Sequence, residues 1–126
     1  MAADRWLVVT AINGLIAVGA GALAAHGLEA SRGAEAAELA RTASQYQMWH
    51  ALALLFLWVR GRAGATGWLF LAGIALFSGS LYGLAFGGPR NLAYVTPFGG
   101  LAFLAGWAAL AARALGLRPS RHRRHY

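Results

Sequence analysis

Apolar positions in this chain come in long blocks, not in the alternation of a strand or the single stripe of a soluble amphipathic helix. Apolar and small residues dominate 6–25, 42–59, 68–86 and 94–112, and charged residues gather between those blocks. Each block is about 18 to 20 residues long, so as an α-helix it would cross a hydrocarbon core of about 30 Å. The pattern predicts an all-α fold, an integral membrane four-helix bundle in a single domain over 1–126, with a basic tail over 113–126. Short connections after the second and third blocks imply antiparallel neighbours.

Composition strengthens the membrane reading. The chain is 59% hydrophobic and 12% charged, with a mean hydropathy of +0.52, more apolar surface than a soluble domain of 126 residues needs. It has no cysteine, which removes disulfides, thiolate catalysis and Cys-ligated metals from consideration. The Ala22-Leu23-Ala24 stretch resembles the small-residue A-x-A pattern of a signal-peptide cleavage site. The apolar run before them exceeds a typical signal core of about 7–15 residues and follows a single arginine, which favours a retained span.

The basic residues are all arginine, and their distribution predicts orientation. Four spans put Arg5, Arg60, Arg62, Arg113, Arg118, Arg121, Arg123 and Arg124 on the side of the termini, leaving only Arg32, Arg41 and Arg90 opposite. The positive-inside rule makes the richer side cytoplasmic, so both termini are expected inside. Trp6, Trp58 and Trp68 then fall at cytoplasmic span ends, where an interfacial aromatic belt would place them. The tail arginines Arg118, Arg121, Arg123 and Arg124 are expected to contact anionic lipid headgroups or simply to fix topology. A sequence pI near 11.4 thus reports membrane orientation, and nucleic-acid binding is not expected of a short tail without a folded reader.

Between the first two blocks, Gly27 to Arg41 reads as the long outer connection. Its second half is rich in strong helix formers, so the second helix should begin near Ala34, with Glu38 placed to pair with Arg41. Helix contacts should follow small residues: Ala75, Gly79, Gly83 and Gly87 recur at every fourth position of the third block, Ala17, Gly21 and Ala25 mark the first, and Gly99, Ala102, Gly106 and Ala109 the fourth.

The candidate chemistry lies in polar residues inside apolar helices, because a bilayer core has no water to satisfy them. Counting from the outer span ends at 1.5 Å per residue puts His26 and Thr96 at the rim, Tyr46 about 5 Å in, Tyr82 about 7 Å, His50 about 10 Å and Ser78 about 14 Å. Gln47 follows Tyr46, and Asn13, about 18 Å below the outer end of its span, falls near midplane and needs a partner of its own. The count predicts an outer-leaflet polar cluster. Its roles could be interhelical locking, a proton or small-solute path, or axial haem ligation by histidine. Metal binding is not expected, since no HxxxH or ExxH pair places two ligands on one helix turn. No acid lies within a span and no Ser-His-Asp arrangement exists, so enzyme activity is not expected either.

The stretches GALAAHGL (21–28), TASQYQMWHALALL (42–55), FSGSLYGL (77–84) and TPFGGLAFLAGW (96–107) resemble, in order, the successive signatures of domain-of-unknown-function family 423, small bacterial inner-membrane proteins. Leu23 and Ala24 stand where the family usually has an aromatic residue and a glycine. The resemblance implies a four-helix inner-membrane protein with no established activity, substrate or cofactor. It singles out His26, Tyr46, Gln47, His50, Ser78, Ser80, Tyr82, Thr96 and Pro97 as motif members. Two roles are consistent with it: a noncatalytic accessory or structural membrane component, whose partners are the lipid bilayer, other membrane subunits or further copies, or a small oligomeric carrier, channel or lipid-binding protein.

Overall fold

The computed structural model describes residues 4–117, and every regular element among them is helical. Helix α1 spans Arg5–Arg32, α2 Ala34–Val59, α3 Gly64–Ala85 and α4 Thr96–Ala114, with a 3₁₀ turn at Arg90–Tyr94 leading into α4. By length and composition α1, α3 and the Arg90–Ala114 segment are fit to cross a membrane. The remaining helix, α2, is long enough, but its polar run from Thr42 to His50 dilutes its hydropathy.

Local chemistry sets the helix ends. The Asp4 carboxylate caps α1 by accepting the Leu7 N–H at 3.1 Å, and the same carboxylate accepts the indole N–H of Trp58 at the end of α2. These bonds, led by the one from Leu7, hold the Asp4 carboxyl below its ordinary pKa. The expected outer connection from Gly27 to Arg41 is helical on both sides of its reversal, with the second helix beginning at Ala34 as expected. Helix continues through Arg32 and resumes at Ala34, and the reversal is made at Gly33, whose φ of 92° suits a residue without a Cβ. Glu38 and Arg41 pair at 2.9 Å on the exposed face of α2, a contact that adds little stability at the surface.

Neighbouring helices pack in chain order: α1 on α2, α2 on α3, α3 on α4. Alanines dominate near the corner, where Ala37 and Ala40 of α2 meet Ala24, Leu28 and Ala85. Large side chains fill the other half, where Leu54 and Leu57 meet Phe70, Ile74 and Phe103. At that end Trp6 sets its ring edge on Trp68 at 5.2 Å, and Arg113 donates to the Arg62 carbonyl at 3.4 Å. The start of α1, the α2–α3 turn and the end of α4 are thereby joined. The outside of the molecule is as apolar as the inside: Leu15, Val18, Leu101 and Leu104 are all exposed. Such a surface suits lipid, because a soluble monomer rarely exposes apolar patches of that extent.

The expected small-residue seam of α3 does not form between helices. Ala75 and Gly79 are exposed, and a Cβ on Gly79 would meet nothing nearer than the Ile74 carbonyl at 3.9 Å. Gly83 instead faces the Leu92 side chain, and Gly87 faces Arg32. The face that α3 buries is a different one, carrying Phe70, Ile74, Ser78, Leu81 and Ala85, and a π-helical stretch at Ile74–Ser78 lies within it. Close approach uses other glycines. A Cβ on Gly99 would collide with the Phe77 backbone, one on Gly73 with the Phe103 ring, and one on Gly106 would lie 2.6 Å from the Phe70 ring. The α4 stripe therefore packs on α3 within the chain. A second π stretch, Ala24–Leu28, interrupts α1.

Candidate functional site

Gln47 is the residue on which three helices converge. Only 4% exposed on α2, it donates from Nε2 to Asn13 Oδ1 on α1 at 3.0 Å and accepts from the Tyr82 hydroxyl of α3 at 2.8 Å. Asn13 passes the pattern on, donating from Nδ2 to the Val9 carbonyl at 2.9 Å. All three bonds run donor to acceptor in one direction, from α3 through α2 to α1, an arrangement in which each bond polarises the next.

His50, one turn further along α2, forms a second junction. Its Nε2 accepts the indole N–H of Trp107 from α4 at 3.1 Å, and its Nδ1 lies 2.7 Å from the Tyr46 carbonyl. The indole can only donate and the carbonyl can only accept, so the ring is assigned as neutral with its proton on Nδ1. The imidazole stacks on Phe103 with centroids 3.6 Å apart and meets Phe70 edge-on at 5.2 Å. Tyr46 packs against Phe77 at 4.5 Å, closing an aromatic box contributed by α2, α3 and α4.

Hydroxyl groups close smaller contacts. Ser44 of α2 donates to the Ala17 carbonyl of α1 at 2.7 Å, and Ser78 of α3 donates to the Ala43 carbonyl of α2 at 2.8 Å. Ser80 Oγ lies 2.6 Å from Thr96 Oγ1, joining α3 to the start of α4. Pro97 occupies the first turn of α4, where a missing N–H costs least. Among the described residues, the one buried side-chain polar atom without a partner is Thr66 Oγ1.

The structure therefore divides the expected outer-leaflet cluster. Gln47 and Tyr82 join Asn13, which was expected to need a partner of its own. His50 belongs with Trp107, in the middle of α4, while Ser80 and Thr96 form a separate contact at its start. His26 stands apart, exposed within the α1 π stretch. Trp107 and Ser44 were not expected as partners. An indole in an apolar motif and a serine beside an alanine read as membrane filler until a neighbouring helix supplies the other half of the bond. The tail arginines Arg118, Arg121, Arg123 and Arg124 lie outside the described residues.

Comparison with known proteins gives the family. The family model described as a protein of unknown function (DUF423) matches residues 20–100, which include the Gln47 and His50 segment, the Ser78 to Tyr82 segment and Thr96. The chain is 43% identical over 118 residues to the UPF0382 inner membrane protein YgdD of Escherichia coli, covering 89% of this chain and 90% of that protein. It is 41% identical over 117 residues to the UPF0382 membrane protein YwdK of Bacillus subtilis, covering 87% and 95% respectively. A UPF0382 membrane protein of Haemophilus influenzae is 39% identical over 115 residues, covering 86% and 91%. No solved structure matches the chain. With its long apolar helices and its likeness to these proteins along most of its length, the chain belongs to the DUF423 family of membrane proteins of unknown function.

Proposed function

We propose that this chain is a noncatalytic, multi-pass component of the bacterial inner membrane, an antiparallel four-helix bundle with both termini cytoplasmic, serving as an accessory or structural part of the membrane or of a larger membrane complex. The observation that carries this reading is that the interior polar groups bond to other helices of the same chain: Gln47 to Asn13 and Tyr82, His50 to Trp107, Ser44 to Ala17 and Ser78 to Ala43. In lipid, where helices gain little hydrophobic energy from associating, such bonds and close glycine contacts hold a bundle together. They are also groups withdrawn from catalysis. A carrier would need polar side chains with unused donors or acceptors along a path, and the His50 ring already uses both nitrogens.

The spanning role of α2 rests on packing. Gln47 and His50 point at α1, α3 and α4, and beyond the exposed Gln45 the surface that α2 leaves to lipid includes Trp49, Leu52, Phe56 and Val59. Termini on one side are supported by the Asp4–Trp58 and Arg113–Arg62 contacts at one end of the molecule, and a cytoplasmic placement by the arginine excess there. Expected partners are the lipid bilayer and its anionic headgroups, together with other membrane subunits or further copies.

Because the chain has no cysteine, an introduced one is a unique label. Glu38→Cys should react with an impermeant maleimide on intact spheroplasts, and Arg62→Cys only after the membrane is opened. The reverse pattern overturns the topology. Purification in mild detergent reads the role: a stoichiometric larger complex supports an accessory subunit, whereas a homo-oligomer that conducts ions or solutes in liposomes overturns it in favour of a carrier or channel.

A further inference from the structure

At the end of the molecule away from the termini, the start of α2 and the start of α4 stand apart and leave an open groove of about 1330 Å³ floored by α3. That exceeds the roughly 300–1,000 Å³ of ordinary small-molecule clefts. Its floor and walls are mainly apolar, with Leu39 from α2, Phe77 and Leu81 from α3, and Gly100 from α4. Its rim carries two cations from different elements: Arg32, at the end of α1, and Arg90, at the start of the 3₁₀ turn. Arg32 reaches toward the end of α3, its guanidinium 6.0 Å from the centroid of the Phe86 ring. Its Nη1 lies 3.1 Å from where a Cβ on Gly87 would stand, so the glycine leaves room for it. Glu35 also lines the rim, but neither arginine has a carboxylate within 4.0 Å among the described residues. Asn91, on the same rim, adds an uncharged amide.

Charge and shape together select one kind of occupant. Two arginines above an apolar trough complement an amphiphile with an anionic phosphate head and a hydrocarbon chain. A free anion would use the rim and leave the trough unfilled. We propose that this groove holds a single anionic phospholipid of the leaflet facing the α1–α2 corner, its phosphate between Arg32 and Arg90 and one acyl chain along Leu39, Phe77, Leu81 and Gly100. The inference rests on the membrane reading but not on which leaflet is cytoplasmic or on an accessory role.

Native mass spectrometry of the full chain in mild detergent, titrated with phosphatidylglycerol or phosphatidylcholine, tests it. Wild type should retain phosphatidylglycerol roughly tenfold better than phosphatidylcholine, R32Q/R90Q should lose that preference, and R5Q/R60Q, with the same charge loss at the other end, should keep it. A Cβ on Gly100 has nothing within 4 Å, so G100L adds bulk in the groove without an immediate clash and should weaken retention of phosphatidylglycerol with both arginines in place. Should R32Q/R90Q fail to fold, G100L still decides. Unchanged binding by folded R32Q/R90Q or by G100L overturns the proposal. Displacement of phosphatidylglycerol by millimolar inorganic phosphate, together with no effect of G100L, identifies a simple anion site and overturns the lipid assignment.

Discussion

Gln47 owes its position to having a donor and an acceptor at the end of one side chain. The amide Nε2 reaches Asn13 while Oε1 takes the Tyr82 hydroxyl, so one residue connects α1 with α3. Replacing it with leucine breaks two interhelical bonds and leaves the half-buried Asn13 amide and Tyr82 phenol to find new partners, whereas Tyr82→Phe breaks one. Gln47→Leu should therefore cost about 1–2 kcal/mol and Tyr82→Phe about 0.6 kcal/mol, read as detergent melting temperatures. Equal losses would mean that the Gln47–Asn13 bond adds no stability of its own. His50→Phe keeps a ring to stack on Phe103 but removes the bond from Trp107, so a variant melting at or above the wild-type temperature sinks the locking role. That polar residues at 46, 47 and 50 mattered was legible in the sequence, since amide and imidazole are conspicuous in an apolar run. Their partners were not. Sequence distance is no guide when Trp107 is 57 residues from His50.

Helical elements behaved as the block pattern predicted except where the backbone left the α-helix. A π stretch has no strong composition signal, and Ile74–Ser78 reads as ordinary apolar helix. An every-fourth-residue stripe of small residues assigned Ala75 and Gly79 to a contact face, whereas α3 buries the face of Phe70, Ile74, Ser78, Leu81 and Ala85. Two glycines test the corrected packing. Gly99→Ala drives a methyl into the Phe77 backbone, which cannot rotate aside as a side chain would, and should destabilise by about 1–3 kcal/mol. Gly79→Ala meets open space in a helix interior and should stabilise by about 0.5–1 kcal/mol. The opposite order of melting temperatures would return the α3 stripe to the packing face. Gly33 is the other element-scale lesson: the stretch before Ala34 read as part of a long connection, yet one residue of positive φ suffices to reverse the chain between two helices.

The molecule as a whole is tied at the end carrying both termini. Asp4 caps α1 and binds Trp58 from α2, so its charge state links a helix start to a tertiary contact. A carboxyl whose pKa is lowered on folding adds stability that is fully present above its unfolded value, near 3.8, and is lost as pH falls through the lowered folded value. Melting temperature should therefore fall in that acid range for the wild type, with less of this fall in Asp4→Asn. An identical acid profile for the two proteins would show that the contact does not form in solution. By itself the sequence determined the membrane class, the approximate extent of the apolar helices and the polar residues that required protein partners, because hydropathy and hydrogen-bonding capacity are properties of individual residues and short runs. Tertiary structure alone decided which helices those residues join, which glycines touch, and that Arg32 and Arg90 flank one groove. Each of these depends on the rotation and register of one helix against another, and a single π turn or a one-residue corner changes both.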